Sequence, residues 1–403
     1  MKIFVSAGEV SGDLALADIL AALRPSLPGM TLCGLGGDAS ARQGLKPLLP
    51  MAKTAVSGIG DVMLSAFSLF RMGRAARRCL ESRQGGRPDL ALLVDYPGLN
   101  LRLARQARRL GIPTYYVAPP QAWIYRNPAA KAARASAFLT GAVVHVLFPF
   151  ERDTFAAAAS KVVSGHFLGE AMSALAAYPG PGAASRAASE ASSKEADPAR
   201  RNLLCLCPGS RLPALRRNLP AWLRALDAAG VLPGGGLAGA PEGHPEGVAV
   251  LVPPHLESEA IRLVRDASPA GRAAIAEVVT DKGRILRESR WAIAFPGTIT
   301  LELALAGIPA AVMAVLDPIT LALGRKVVKG PWLGLPNLLL QREAFPEWIG
   351  TASALRPAHA AELWRRLREA DAGGEGKHLR DLMGPADGAR VAAAECLKIL
   401  EKG

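Results

Sequence analysis

The chain is expected to be an α/β protein made of two Rossmann-like domains facing a cleft, and three observations carry that expectation. It opens with IFVSAGEVSGDLALADILAAL, where a short apolar run enters a glycine loop and then a stretch with Leu16, Ile19, Leu20 and Leu23 on one helical face. Apolar runs of the kind found in parallel sheets recur along the chain and end in loops rich in glycine, proline and charge. From 179 to 200 the composition becomes small and polar without periodicity, as in a linker, and the alternation of strand and helix then restarts. The expected organisation is therefore 1–178, a linker 179–200, 201–370, and a helical tail 371–403.

In the opening segment Ile3, Phe4 and Val5 read as a strand, Gly8 and Gly12 as the glycine loop, and Ser11 or Asp13 as the helix cap. The loop lacks G-x-G-x-x-G and the lysine of a P-loop, and Glu9 stands where a phosphate would be repelled. It marks a ligand without naming it. A second strand is expected from Met30 to Leu35. From Val56 to Arg78 the residues Val62, Met63, Phe67 and Phe70 share a helical face, and Arg71, Arg74, Arg77 and Arg78 follow. Two readings stay open there: a core helix with a solvated basic end, or a helix lying on a membrane with arginines against anionic head groups.

Leu90 to Val94 is the next strand, and Asp95 closes it before the turn Tyr96-Pro97-Gly98. A carboxylate at that end of a parallel strand either faces the crevice where open α/β sheets bind ligands or merely caps a loop, and the turn that exposes it favours the first. Further strands are expected at 114–117 and 143–147, with a short one before Ser164-Gly165-His166. The loop Pro119 to Arg126, dense in proline and aromatics, suits a sugar face or a phosphate, or serves as a rigid connector. In the second half, strands are expected at 203–207, 248–252, 277–280 and 291–294. Ser210 and Arg211 follow the first of these, a helix is expected around 219–226, and 231–247 reads as a surface loop. Residues 291–316 carry only Glu302 as a charge, but Pro296-Gly297 and Gly307-Ile308-Pro309 cut the run too short to cross a bilayer as one helix. Gly297-Thr298 opens a helix whose free N–H groups suit a phosphate. Glu302 suits either a ribose or simply the helix N-terminus. The segment beyond Leu316 has helical patterning.

Half of the residues are apolar, which is ample for real cores, and no basic start leads into a long apolar segment, so a cytoplasmic protein is expected. The net charge of +13 asks for an acidic partner, yet aromatics make up only 5%, which argues against nucleic acid. Cys33, Cys79, Cys205, Cys207 and Cys396 have no zinc-site spacing and read as reduced thiols. Arg211 can neutralise a pyrophosphate and Gly297-Thr298 can cradle it, while Asp95 can take a proton from an acceptor hydroxyl. That set suits inverting glycosyl transfer. No DxD-like pair stands out, so neither metal nor other cofactor is expected.

The ordered set AGEVSGD (7–13), VDYPGLN (94–100), FPFE (148–151), GH (165–166), PGSR (208–211), GTITLE (297–302) and LPN (335–337) resembles the lipid-A-disaccharide synthases over nearly the whole chain. The resemblance implies a glycosyltransferase of the GT-B type, peripheral on the inner face of the cytoplasmic membrane. Such an enzyme joins UDP-2,3-diacylglucosamine to 2,3-diacylglucosamine 1-phosphate in a β-1,6 linkage and releases UDP. Asp95 matches the family's proposed base and Arg211 a functionally required arginine. Ser210, Thr298, Glu302 and Asn337, with Gly297, fall on the UDP-sugar side, and Gly8, Glu9, Ser11, Gly12 and Asp13 on the acceptor side. It also favours the membrane reading of the helix carrying Phe67 and Phe70. The chain departs from the family pattern at Pro296, Ala214 and Ala314. Two alternatives remain: a related glycosyltransferase or sugar-nucleotide epimerase with a soluble acceptor, and a catalytically silent binding homologue. A C-terminal helix returning to the first domain and one swapped between two copies in a homodimer both stay open.

Overall fold

The structure, a computed structural model, describes residues 1–49, 62–81, 86–176, 202–233, 244–267 and 276–402, and of 62–69, 174–176 and 325 the backbone only. The expected linker 179–200 lies outside the described residues, as do 56–61 of the expected basic helix and 234–243 of the expected surface loop. Two units are present, Met1–Gly169 with Leu382–Gly403, and Glu170–Asp381.

The first runs β1 (Lys2–Ala7), α1 (Val10–Leu23), β2 (Thr31–Leu35), α2 (Asp38–Arg42), α3 (Val62–Glu81), β3 (Leu90–Val94), α4 (Pro97–Arg109), β4 (Thr114–Val117), α5 (Pro128–Leu139), β5 (Val143–Val146), α6 (Arg152–Phe155) and β6 (Lys161–Ser164). There follow α7 (Gly169–Ala176), β7 (Leu203–Cys207), α8 (Leu212–Ala228), β8 (Gly247–Leu251), α9 (Glu257–Ala267), β9 (Glu277–Val279), α10 (Lys282–Glu288), β10 (Trp291–Ala294), α11 (Thr298–Leu305) and β11 (Ala310–Val315). The chain continues through α12 (Pro318–Val327), α13 (Leu335–Leu340), β12 (Glu347–Gly350), α14 (Pro357–Glu369), α15 (Ala372–Met383) and α16 (Gly388–Lys402).

Each unit holds one six-stranded parallel sheet. The orders are β2-β1-β3-β4-β5-β6 and β12-β11-β10-β7-β8-β9. Helices cover both faces of the first sheet, and its strands show why their runs are apolar without interruption. Ile3, Val5 and Ala7 of β1 and Leu90, Leu92 and Val94 of β3 point to one core, shared with α1. Phe4, Ala91 and Leu93 point to the other, shared with Met72, Ala76 and Leu80 of α3 and Leu99, Leu103 and Ala107 of α4. In the second unit Leu204, Leu206, Val248, Val250, Ile293 and Met313 pack against Leu215, Leu219 and Trp222 of α8 and Leu363 and Trp364 of α14.

Helix α16 belongs to the first unit. It lays Ala392, Ala393, Cys396 and Leu400 into the core beside Leu16, Ile19 and Leu20 of α1. Lys161 at the sheet edge pairs with Glu395 at 2.7 Å. The buried His166 ring contacts the Gly384 carbonyl at 3.0 Å, and Gly388 N–H donates to the His166 carbonyl at 3.1 Å. His145 is fully buried nearby: Nε2–H donates to the Gly165 carbonyl (2.8 Å), so Nδ1 accepts the Tyr115 hydroxyl (2.7 Å). Burial lowers its pKa to about 4, keeping it neutral in that role.

Two expectations need correction. Within the segment expected to be helical beyond Leu316, residues 347–350 form strand β12, a four-residue edge strand too short to leave a periodic signature. Neither Ser11 nor Asp13 caps α1; its N-cap is Glu9 in extended conformation, without a side-chain cap. The five cysteines are unpaired by disulfides, and Cys205 and Cys207, two apart on one strand face, sit with sulfurs 3.5 Å apart. Among the described residues no helix is long and apolar enough to cross a membrane.

Candidate active site

In the first sheet β1 feeds β2 on one side and lies against β3 on the other, so the topological switch falls between β1 and β3. Open α/β sheets bind ligands outside the strand ends at that point. Ala7 pairs with Val94 in the last register position, which brings the loop starting at Gly8 beside Asp95. A side chain at Gly8 would place its Cβ 2.3 Å from the Tyr96 ring, so only glycine lets the two strand-end loops close on each other.

The turn carrying Asp95 is strained. Asp95 and Tyr96 take φ of 48° and 51°, and Ala118 at the end of the neighbouring β4 takes 53°. Left-handed backbone at consecutive non-glycine residues persists only where the surroundings impose it, and here they do. Asn100, fully buried on the first turn of α4, shares its amide hydrogens among the carbonyls of Asp95 (2.8 Å), Val94 (3.0 Å) and Ser6 (3.1 Å). Its own oxygen accepts the buried Ser6 hydroxyl at 2.6 Å. Asp95 N–H donates to Val117 (2.8 Å), and the Tyr116 hydroxyl donates to the Asp95 carbonyl (3.0 Å). Burial, with the Asp95 charge adding to it, keeps the Tyr116 phenol protonated and hence a donor. Ser6, Asn100 and Tyr116 had no role in the sequence reading. Only the spacing of Asn100 from Asp95 within VDYPGLN hinted at the latch.

Of the residues expected on the acceptor side, Glu9 is half-buried, Ser11 exposed and Gly12 buried. Asp13 turns the other way. It is 4% exposed, and its carboxylate accepts the N–H groups of Gly37 (2.7 Å), Ala39 (2.9 Å) and Ser40 (3.3 Å) together with the Ser40 hydroxyl. The acidic side chain thus caps α2 and the turn before it, with three of these bonds on Oδ1 and one on Oδ2.

Beyond β4 and β5 the proline-aromatic loop and the FPFE turn are tied by one carboxylate. Glu151, 3% exposed, accepts Trp123 Nε1–H at 3.0 Å and Phe148 N–H at 3.0 Å. Trp123 stands edge-on to Phe148 and Phe150, which stack on each other at 5.5 Å. Burial raises the Glu151 pKa to about 7, against the hydrogen bonds that lower it. Because the folded value exceeds the ordinary 4.5, Glu151 favours folding while protonated and loses that advantage as pH rises through 4.5 to about 7. Between those limits the stability of Glu151→Gln should therefore rise relative to wild type by about 3 kcal/mol. Denaturant titrations of the two chains at both pH values check this, and a constant difference would refute it.

The second sheet repeats the logic. Its switch falls between β7 and β10, and their loops are Pro208 to Arg211 and Phe295 to Thr298, brought together by the Cys207–Ala294 register. Phe295 N–H donates to the Cys207 carbonyl at 2.8 Å. Gly209, at φ +116°, leaves no room for a Cβ, which would lie 2.9 Å from that of Ala214. Buried Asn218 of α8 donates to the Ala214 (2.9 Å) and Pro208 (3.3 Å) carbonyls and accepts Val315 N–H (2.9 Å), the counterpart of Asn100. Ser210 is exposed, Arg211 half-buried at the N-cap of α8, Gly297 exposed at the N-cap of α11, and Thr298 half-buried. The first N–H groups of α11 have no acceptor within their own helix.

Glu302 and Asn337 are engaged by the protein itself. Glu302, 8% exposed, pairs with Lys282 at 2.8 Å, and Glu170 approaches the same ammonium at 3.5 Å. Burial disfavours the charge of Lys282, but Glu302 and Glu170 outweigh it and hold the ammonium above the usual lysine range. A direct ribose contact by Glu302 would have to compete with that pair. Lys282 escaped the sequence reading because nothing local links it to residue 302. Asn337, on α13 packed against α11, is fully buried and saturated: it donates to the Phe345 carbonyl and to Glu347 (both 2.7 Å), and accepts the N–H groups of Ala344 (2.8 Å) and Phe345 (2.9 Å). These bonds hold the approach to β12, and a direct contact of Asn337 with the UDP-sugar would have to displace one of them. Among the described residues no three His, Cys, Asp or Glu side chains are grouped to hold a metal ion.

Against known proteins, a family model described as lipid-A-disaccharide synthetase matches residues 3–230 and 250–381. The lipid-A-disaccharide synthase of Myxococcus xanthus is 29% identical, covering 100% of this chain and 98% of its own. That of an Anaeromyxobacter species is 32% identical over 90% of this chain and 87% of its own. Among solved structures, UDP-GlcNAc 2-epimerase from Neisseria meningitidis bound to UDP-GlcNAc superposes with a TM-score of 0.56 at 10% identity, covering 99% of this chain and 100% of that one. MurG of Acinetobacter baumannii gives 0.51 at 16% identity, covering 100% and 99%. These structural likenesses show the fold: two Rossmann-like domains of the GT-B kind.

Proposed function

Since the chain belongs to the lipid-A-disaccharide synthase family, and is thus a glycosyltransferase of lipid A biosynthesis, we propose that Asp95 is its general base and Arg211 its principal diphosphate-binding group. The acceptor is 2,3-diacylglucosamine 1-phosphate and the donor UDP-2,3-diacylglucosamine. Asp95 takes the proton of the acceptor 6-hydroxyl as its oxygen attacks the anomeric carbon, the bond to the diphosphate breaks on the opposite face, and the β-1,6 disaccharide and UDP result. The departing diphosphate gathers charge, which on this reading the Arg211 guanidinium, the Ser210 hydroxyl and the first N–H groups of α11 at Gly297-Thr298 stabilise. The observation that supports this division most is topological: Asp95 and the Gly8 loop share the switch of one sheet, and Arg211 and Gly297-Thr298 share the switch of the other.

The enzyme works, on this reading, at the inner face of the cytoplasmic membrane, where both lipid substrates reside. Helix α3 supports it. Met72, Ala76 and Leu80 hold its C-terminal half in the core, while Phe70 is 65% exposed and Arg71, Arg74, Arg77 and Arg78 face solvent. The side chains of Val62, Met63 and Phe67 lie outside the described residues. Purified protein given the UDP-diacylated donor and radiolabelled acceptor should form the disaccharide with stoichiometric UDP. Folded protein that forms none would refute the assignment, and turnover of a deacylated acceptor at the same rate would favour a soluble-acceptor enzyme.

A further inference from the structure

Helix α12 carries a second apolar face. Ile319, Leu323 and Val327 are 57%, 48% and 45% exposed. Their spacing of four residues sets them in one stripe along a helix of ten residues, about 15 Å long. Among the described residues of the second unit they are three of the four large apolar side chains left exposed, Ile261 being the other, so the stripe is a concentration rather than ordinary surface scatter. The charge on its own sequence segment has one sign. From Pro318 to Leu333 the sequence PITLALGRKVVKGPWL holds Arg325, Lys326 and Lys329 and no carboxylate, with Lys326 and Lys329 exposed. The nearest acid in sequence, Asp317, is spent on the helix start: it accepts the N–H (2.9 Å) and hydroxyl (2.7 Å) of Thr320 and faces Arg217 at 3.6 Å. Half-buried Trp332 ends the segment, a residue suited to the boundary between water and lipid.

We propose that this face of α12 is a membrane contact in its own right, through which the second unit rests on an anionic bilayer. Ile319, Leu323 and Val327 dip into the head-group boundary while Lys326 and Lys329 meet lipid phosphates. The surface charge selects this occupant. A second copy meeting this face by two-fold symmetry would set one cationic stripe against another, whereas an anionic bilayer offers both the apolar layer and the countercharge. The inference rests on the reading that the enzyme works at a membrane and adds a contact on the nucleotide-sugar side, separate from α3.

The test is co-sedimentation of the full chain with phosphatidylcholine vesicles, with and without phosphatidylglycerol. Wild type should partition onto the anionic vesicles. The variant Ile319→Ser, Leu323→Ser, Val327→Ser should bind at least about tenfold more weakly, and Lys326→Gln, Lys329→Gln about fivefold more weakly per charge removed, with circular dichroism unchanged. The substituted side chains are exposed, so neither variant disturbs a core. Equal binding by wild type and both variants, with binding lost in Phe67→Ser, Phe70→Ser, would overturn this inference while sparing the membrane reading. No binding by wild type would overturn both. If light scattering shows the serine variant converting a dimer to a monomer without loss of vesicle binding, the face is an interface between copies and the proposal fails.

Discussion

Asp95→Asn should lower turnover by about 100- to 10,000-fold, the range that a positioned general base supplies, while leaving the affinity for the UDP-sugar nearly unchanged. The substitution is unusually clean at this position. Asp95 sits at φ 48°, and asparagine tolerates left-handed backbone better than other non-glycine residues. Its amide keeps the size of the carboxylate, so the carbonyl held by Asn100 and Tyr116 should stay where it is. What is removed is basicity. Alanine there would confound the loss of the base with added backbone strain. Steady-state kinetics together with calorimetric binding of UDP-sugar separate the two, and a comparable loss of nucleotide affinity would contradict the assignment to the acceptor.

Arg211→Ala should lower kcat/KM by about 100- to 1,000-fold, the cost of removing one preorganised donor from developing charge, and should weaken inhibition by UDP. The residue is the N-cap of α8, with extended backbone and no side-chain cap, so truncation leaves the helix start intact. Arg211→Lys should recover part of the loss, because an ammonium keeps the charge but lacks the planar fork that matches two phosphate oxygens. Unchanged kinetics in the alanine variant would refute the role.

Much of this arrangement was legible in the sequence, for a physical reason. A parallel strand buried on both faces must be apolar throughout, so Leu90 to Val94 and Leu203 to Cys207 announce themselves, and the first polar residues after them are at strand ends. Strand order was not legible. That β1 lies beside β3, and β7 beside β10, depends on contacts distant in sequence, and that adjacency sets Gly8 against Tyr96. The polar latches were hidden for a related reason. Asp13 and Asn337 stand in motifs that look ligand-facing, yet each is buried and hydrogen-bonded to the protein's own backbone and side chains. Of the two residues that pin the strand-end turns, Asn218 carries no local signal of that duty and Asn100 only its spacing from Asp95.

The return of α16 to the first unit has a consequence for how the chain is made. Ala392, Ala393, Cys396 and Leu400 complete a core whose other buried residues lie between Ile3 and Val163, ahead of the second unit. While the ribosome is still at work, α1 must keep Leu16, Ile19 and Leu20 without their final covering, and the second unit, contiguous from Glu170 to Asp381, is translated in full before that covering exists. Domains ordinarily fold in the order they emerge. Here the unit begun first is completed only after the second, so the α1 face should need protection until α16 has been made, and a chain truncated before Gly388 would lose that covering.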